Sequence, residues 1–196
     1  MLLSRSLKST VLGFAFSAPV ILGGCDRQST DDPQPNAEIS GSRQGEAGAL
    51  IRDNRGTEIP DFTATDAEGN TLDLRSLRGK PVLLNLWATW CAPCIAELPT
   101  LDKLAIEYGE RMEVLAISQD ISQTEKVAPF LEEQGLNHLE PWLDSQSDLS
   151  FALGGAPLPT TLLYDSEGRE IWRYSGGFDW TSKEAKSLIS EAFSGE

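Results

Sequence analysis

Basic residues, cysteine and histidine are all scarce in this 196-residue chain: 16 Lys and Arg stand against 30 Asp and Glu, with three Cys and one His. A formal net charge of −14 excludes a phosphate-gripping face, which needs clustered bases, so no nucleic acid partner is expected. Three cysteines are too few for a disulfide-stapled mini-scaffold, and beside a single His they are too few for most structural zinc sites; no metal is expected. There is no glycine-rich phosphate loop and no internal repeat, and no cofactor is implied. What remains is 40% hydrophobic residues, enough to build the core of one ordinary domain with appendages.

Residues 1–24 carry Arg5 and Lys8 and no acid, then an apolar run from Ser9 to Gly24. That is the layout of an export signal peptide. Gly13 and Pro19 interrupt the run, which falls short of the ~20 apolar residues a spanning helix needs. Leu22-Gly23-Gly24-Cys25 resembles a bacterial lipobox, which implies lipidation of Cys25 and stable anchoring through several acyl chains. The alternative is cleavage after Ala18, with Cys25 an unmodified thiol. Asp26 after the lipidated cysteine resembles an inner-membrane retention signal, which would place the protein on the periplasmic face of the bacterial inner membrane.

Residues 25–58 are rich in Asp, Gln, Ser, Pro, Asn and Gly with scattered Ile39, Leu50 and Ile51, a composition expected to serve as a flexible tether. Residues 59–196 carry the periodic patterning of a folded domain. Phe62 to Leu74 reads as a β-hairpin about Glu68-Gly69-Asn70. The apolar run Val82–Trp87 predicts a strand covered on both faces. Ile95, Leu98, Leu101, Leu104 and Ala105 lie at helical spacing from Cys94 to Tyr108, with Pro99 inside. A strand at 114–117, helices near 123–134 and 148–153, a hairpin of 160–164 with 170–174, and a closing helix at 182–193 complete an α/β class with a central mixed sheet flanked by helices.

Cys91 and Cys94 form a C-x-x-C pair directly after the apolar strand and at the start of the following helix. The helix's free N–H groups and positive dipole end favour a Cys91 thiolate. A spacing of three sets Cys94 one turn behind, within reach of a disulfide, and Pro93 suits the first helical turn. This arrangement suits thiol-disulfide exchange, in which Cys91 attacks and Cys94 resolves the mixed disulfide. Glu97, three residues after Cys94, shares its helical face. Two readings of Glu97 are open: an acceptor of the Cys94 proton, or a solvated carboxylate near the helix dipole.

Val82 to Cys94, reading Val-Leu-Leu-Asn-Leu-Trp-Ala-Thr-Trp-Cys-Ala-Pro-Cys, resembles the active-site strand and loop of TlpA-type, membrane-tethered thioredoxin-like proteins. Gly79-Lys80-Pro81 and Pro157-Leu158-Pro159-Thr160-Thr161 extend the likeness over roughly residues 59–193. The resemblance implies a thioredoxin fold with an amino-terminal β-hairpin extension. It implies a cis peptide before Pro159, backbone groups of Leu158 that pair with substrate, and Trp90 as part of the docking surface. It further implies that Glu97, in C-x-x-C-x-x-E-x-P, adjusts cysteine acidity. Asn85 stands where cytoplasmic thioredoxins carry a buried acid, and asparagine cannot shuttle a proton. Trp87 is expected in the core, Trp142, Trp172 and Trp180 as packing residues, and His138 as a loop residue.

The activity implied is a protein-disulfide reductase acting on exported disulfide-containing proteins, either cytochrome c apoproteins or copper-site proteins of respiratory oxidase assembly, and recharged by a membrane thiol-electron donor. Three alternatives compete. A disulfide-forming oxidase would share the fold and differ in the relative stability of dithiol and disulfide. A thiol peroxidase would resemble peroxiredoxins, but Ala88 stands where they carry threonine. A copper-delivery module would use Cys91 and Cys94 with His138, whereas such proteins space their cysteines more widely.

Overall fold

The computed structural model describes residues 48–194; the signal segment 1–24, Cys25 and most of the tether lie outside them. The described strands are β1 (Ala49–Ile51), β2 (Thr63–Thr65), β3 (Thr71–Asp73), β4 (Val82–Trp87), β5 (Glu113–Ser118), β6 (Trp142–Leu143), β7 (Thr160–Tyr164) and β8 (Glu170–Ser175). The helices are α1 (Ala92–Tyr108), α2 (Val127–Glu133), α3 (Asp148–Ala152) and α4 (Lys183–Ile189). One mixed sheet forms in the order β1-β8-β7-β4-β5-β6-β2-β3.

Every residue of β4 is buried, as its unbroken apolar run demands of a central strand. β4 runs parallel to β5 and antiparallel to β7, with Asn85 opposite Ala116 on one side and Thr161 on the other. Alternation along the strand sends Leu83 and Trp87 into a core with Leu98, Leu101 and Leu104 of α1, Val127 and Leu131 of α2, and Ala185 and Ile189 of α4. Leu84 and Leu86 point the other way, to Leu74, Leu149 and Leu153. Each such buried side chain contributes about 1.5–3 kcal/mol by leaving water.

Two turns repeat one local device. Asp66 Oδ1 accepts the amides of Glu68 and Asn70, and Asp165 Oδ1 accepts those of Glu167 and Arg169. In both, Asp-x-Glu-Gly places the glycine in the left-handed region, at φ 87° for Gly69 and 80° for Gly168. These are the β2–β3 and β7–β8 hairpins that the sequence predicts.

The tether expected to reach residue 58 is corrected here. Ala49, Leu50 and Ile51 pair antiparallel with Ser175, Tyr174 and Arg173, and Ile59 and Gly56 donate to Gly168 and Glu170 carbonyls. Residues 48–58 therefore belong to the folded unit. The closing helix is also shorter than expected: α4 ends at Ile189 and a 3₁₀ turn carries Ser190–Phe193. Among the described residues, no helix is long and apolar enough to cross a membrane.

Because β7 is antiparallel to both β4 and β8, β8 runs in the direction of β4. Ser175 and Trp87 thus end at one edge of the sheet, and Ala49, opposite Ser175, lies there too. That edge carries the site.

Candidate active site

Cys91 is the N-cap of α1, with φ −92° and ψ 99°, and its carbonyl accepts the amide of Ile95 at 3.0 Å. Cys91 and Cys94 are joined by a disulfide, their Cα atoms 5.3 Å apart. Cys91 retains 6% exposure and Cys94 none, so the first sulfur is the one a partner can reach. Pro93 sits in the first turn of α1 without loss of a helical hydrogen bond.

Behind the pair, Glu97 is only 3% exposed; the solvated reading of this carboxylate is set aside. Its Oε1 accepts Asn85 Nδ2 at 2.7 Å, and its Oε2 accepts the Phe178 amide at 2.9 Å and Trp180 Nε1 at 3.3 Å. Burial raises its pKa to about 7, against the opposing pull of those three donors. A carboxyl so poised exchanges a proton near neutrality. Asn85 cannot titrate but holds Glu97 in place, and its second amide hydrogen goes to Thr161 Oγ1 at 2.9 Å. Trp180, expected as packing, is fully buried and also serves as a donor to the carboxylate.

The loop before Cys91 is fixed by a residue that sequence reasoning missed. Asp120 accepts the Thr89 amide at 2.9 Å, Thr89 Oγ1 at 2.8 Å and Ser118 Oγ at 2.8 Å. Trp90, between this anchored residue and Cys91, is 69% exposed. The Leu158–Pro159 peptide is cis, and the Pro159 carbonyl accepts the Gly176 amide at 2.9 Å. Gly176, at φ 106°, is approached by the backbone of Gly48. Next to it, a Cβ at Gly177 would lie 3.4 Å from the Pro93 carbonyl oxygen. The β8 end thus contacts both the Pro159 loop and the first turn of α1. His138 lies apart from this group in its contacts: its amide and Nδ1 both meet Asp102 of α1.

The redoxin family pattern matches residues 54–189. The chain belongs to the redoxin family. Thiol-disulfide oxidoreductase ResA of Bacillus anthracis is 35% identical over 122 residues, covering 62% of this redoxin and 69% of the relative. Among solved structures, the exposed lipoprotein thioredoxin of Streptococcus pneumoniae superposes with a TM-score of 0.57 at 26% identity, covering 66% of this chain and 98% of that one. A DsbF homologue from Corynebacterium diphtheriae, at 19% identity, TM-score 0.62 and coverage of 76% and 96%, shares the fold. This redoxin has the thioredoxin-like α/β fold and is a thiol-disulfide oxidoreductase, with Cys91 and Cys94 as its cysteine pair.

Proposed function

We propose that this redoxin reduces disulfides in exported proteins while held by a lipid on Cys25 at the periplasmic face of the bacterial inner membrane. The observation that carries the chemistry is the order along α1: Cys91 at its start, Cys94 buried one turn on, and the Glu97 carboxylate buried one turn further. In the reduced enzyme the Cys91 thiolate attacks one sulfur of the partner's disulfide. A Cys91–partner bond forms and the other partner sulfur leaves as a thiolate, which takes a proton from water. Glu97 accepts the Cys94 proton, and the Cys94 thiolate attacks the Cys91 sulfur, expelling the second partner thiolate. The partner gains two electrons and the enzyme ends in the Cys91–Cys94 disulfide.

Trp90, Leu158 and Pro159 form the docking rim in this reading. A membrane thiol-electron donor of TlpA-like systems would restore the dithiol, and cytochrome c apoproteins or copper-site proteins would be the substrates. The lipobox-like Leu22–Cys25 and the lipoprotein named among the structural relatives support anchoring.

Direction is tested by the reduction potential of the Cys91–Cys94 couple. A value more negative than about −180 mV is expected, and one near the −120 mV or so of strong periplasmic oxidants would overturn the reductase assignment. Substrates are tested by expressing Cys94→Ala, which should accumulate exported proteins disulfide-linked to Cys91. Recovery of none, with the Cys91 thiol intact, would remove the proposed substrate class.

A further inference from the structure

The three hydrogen bonds that hold the Glu97 carboxyl all come from donors. Asn85 Nδ2 meets Oε1 at 2.7 Å, while the Phe178 amide at 2.9 Å and Trp180 Nε1 at 3.3 Å meet Oε2. That suits a carboxylate, which only accepts; a protonated carboxyl carries an O–H that must donate. Among the described residues no acceptor is bonded to this group, which is 3% exposed, and a buried O–H without an acceptor is costly. In the proposed reaction Glu97 takes up the Cys94 proton, so each turnover passes through the form that this ring of donors does not fit.

The missing acceptor lies on a side chain already in contact. Asn85 is fully buried and its Oδ1 has no hydrogen-bond partner, while Nδ2 of the same amide serves both Glu97 Oε1 and, at 2.9 Å, Thr161 Oγ1. Of the buried side-chain atoms left unpaired among the described residues, only this one belongs to a residue bonded to Glu97. Half a turn about χ2 exchanges the oxygen and nitrogen of a carboxamide with little change of shape. Asn85 sits in β4 directly opposite Thr161 of β7, and that neighbour suits either face: its hydroxyl accepts from Nδ2 in this structure and can donate to Oδ1 after the turn. One end of the amide stays unpaired in both orientations, so what the turn changes is the group shown to Glu97.

We propose that the Asn85 amide turns over when Glu97 is protonated, presenting Nδ2 to the carboxylate and Oδ1 to the carboxylic acid. The inference rests on the reading of Glu97 as acceptor of the Cys94 proton. As the Cys94 S–H bond breaks, the proton comes to rest on Oε1, because Oε2 already faces two donors. The new O–H then donates to Asn85 Oδ1, to which the Thr161 hydroxyl also donates. Loss of the proton to water restores the arrangement seen with the disulfide closed. Asn85 is a positioning residue that supports both protonation states of Glu97, where a fixed donor supports one.

The test uses the full chain in its oxidised form, isotopically labelled and followed by NMR from pH 5 to pH 8.5. Around Glu97, the two cysteines are joined, Asp179 in the shared cleft is held below the ordinary carboxylate range by its bonds from Thr181, and Tyr174 of β8 is pushed above the ordinary phenol range by burial. At pH 8.5 the side-chain amide hydrogens of Asn85 should show through-space contacts to the Thr161 methyl group and the Glu97 side chain. At pH 5 those contacts should be lost, with the midpoint of the Glu97 carboxyl carbon shift. Contacts that persist while the carboxyl carbon titrates overturn the turning amide and leave Glu97 as the proton acceptor; a carboxyl carbon that does not titrate overturns both. Asn85→Leu gives a second readout in the pH profile of mixed-disulfide resolution. A donor fixed toward the carboxylate holds its pKa down by roughly one to two pH units, whereas an amide that serves both forms is lost from both. The inflection should therefore move by less than one pH unit, and a rise of one or more overturns the proposal.

Discussion

At Glu97 three donors and near-complete burial act in opposite directions on one carboxyl group, and burial prevails. Its pKa in the fold, about 7, lies above the ordinary 4.5, so between those two values the folded protein binds more proton than the unfolded chain. Stability therefore falls as pH rises from about 4.5 to about 7 and is level in this respect above it, an effect on the order of 3 kcal/mol. Glu97→Gln should flatten that slope in denaturant titrations at pH 5 and pH 7.5. The same substitution should slow resolution of a Cys91 mixed disulfide on the order of 100-fold at pH 7, and remove an inflection near pH 7 from the rate profile. If stopped-flow traces kept the inflection in the variant, another group would be the Cys94 proton acceptor. Cys91, Cys94, Glu97 and Asn85 are legible in the sequence because they are close in the chain or lie on patterned elements. Asp120 and Trp180 are not: they reach Thr89 and Glu97 across 31 and 83 positions, and no local period encodes such a meeting.

Between the elements, two aspartates fix backbone amides: Asp120 in the loop before Cys91 and Asp144 at the start of α3. Asp120→Ala would leave the Thr89 amide and the Thr89 and Ser118 hydroxyls without their acceptor. A loss of about 1–3 kcal/mol is expected in urea unfolding, with faster amide exchange at Thr89. Asp144→Ala removes the acceptor from three amides of α3 and should cost about 0.5–2 kcal/mol, the range of a lost helix cap, while sparing hydroxyethyl disulfide reduction. The elements that the sequence announces are those with a period or a long apolar run. β4 fills its expected span from Val82 to Trp87, and α1 is present despite Pro99. β1 is hidden because its three residues are only partly covered, on a sheet edge with a single neighbour. β6 is hidden because two residues, Trp142 and Leu143, are too few for any alternation to show.

For the molecule as a whole, the two sheet faces and their helices place the disulfide at one edge and the β7–β8 turn at the other. Ala192 and Ser194 share a surface cavity with Asp165, Ser166 and Glu167 of that far turn, and Glu191 is held there by a two-pronged bond from Arg52. At the opposite edge, a Cβ on Gly48 would stand 2.7 Å from the Ser175 carbonyl oxygen and collide with the Tyr174 ring. Gly48→Val should therefore detach β1 and lower the melting temperature by several degrees, about 4–8 °C for each kcal/mol lost in a domain of up to about 100 residues and less in a larger one. The polypeptide thus joins its sheet on the catalytic rim and leaves it on the rear. A reporter or solid support grafted at the carboxyl end should leave macromolecular disulfides free to approach, whereas the same bulk spliced directly ahead of Gly48 would stand beside Gly176 and the first turn of α1 at Pro93 and should slow them, with a small-molecule disulfide indifferent to either choice.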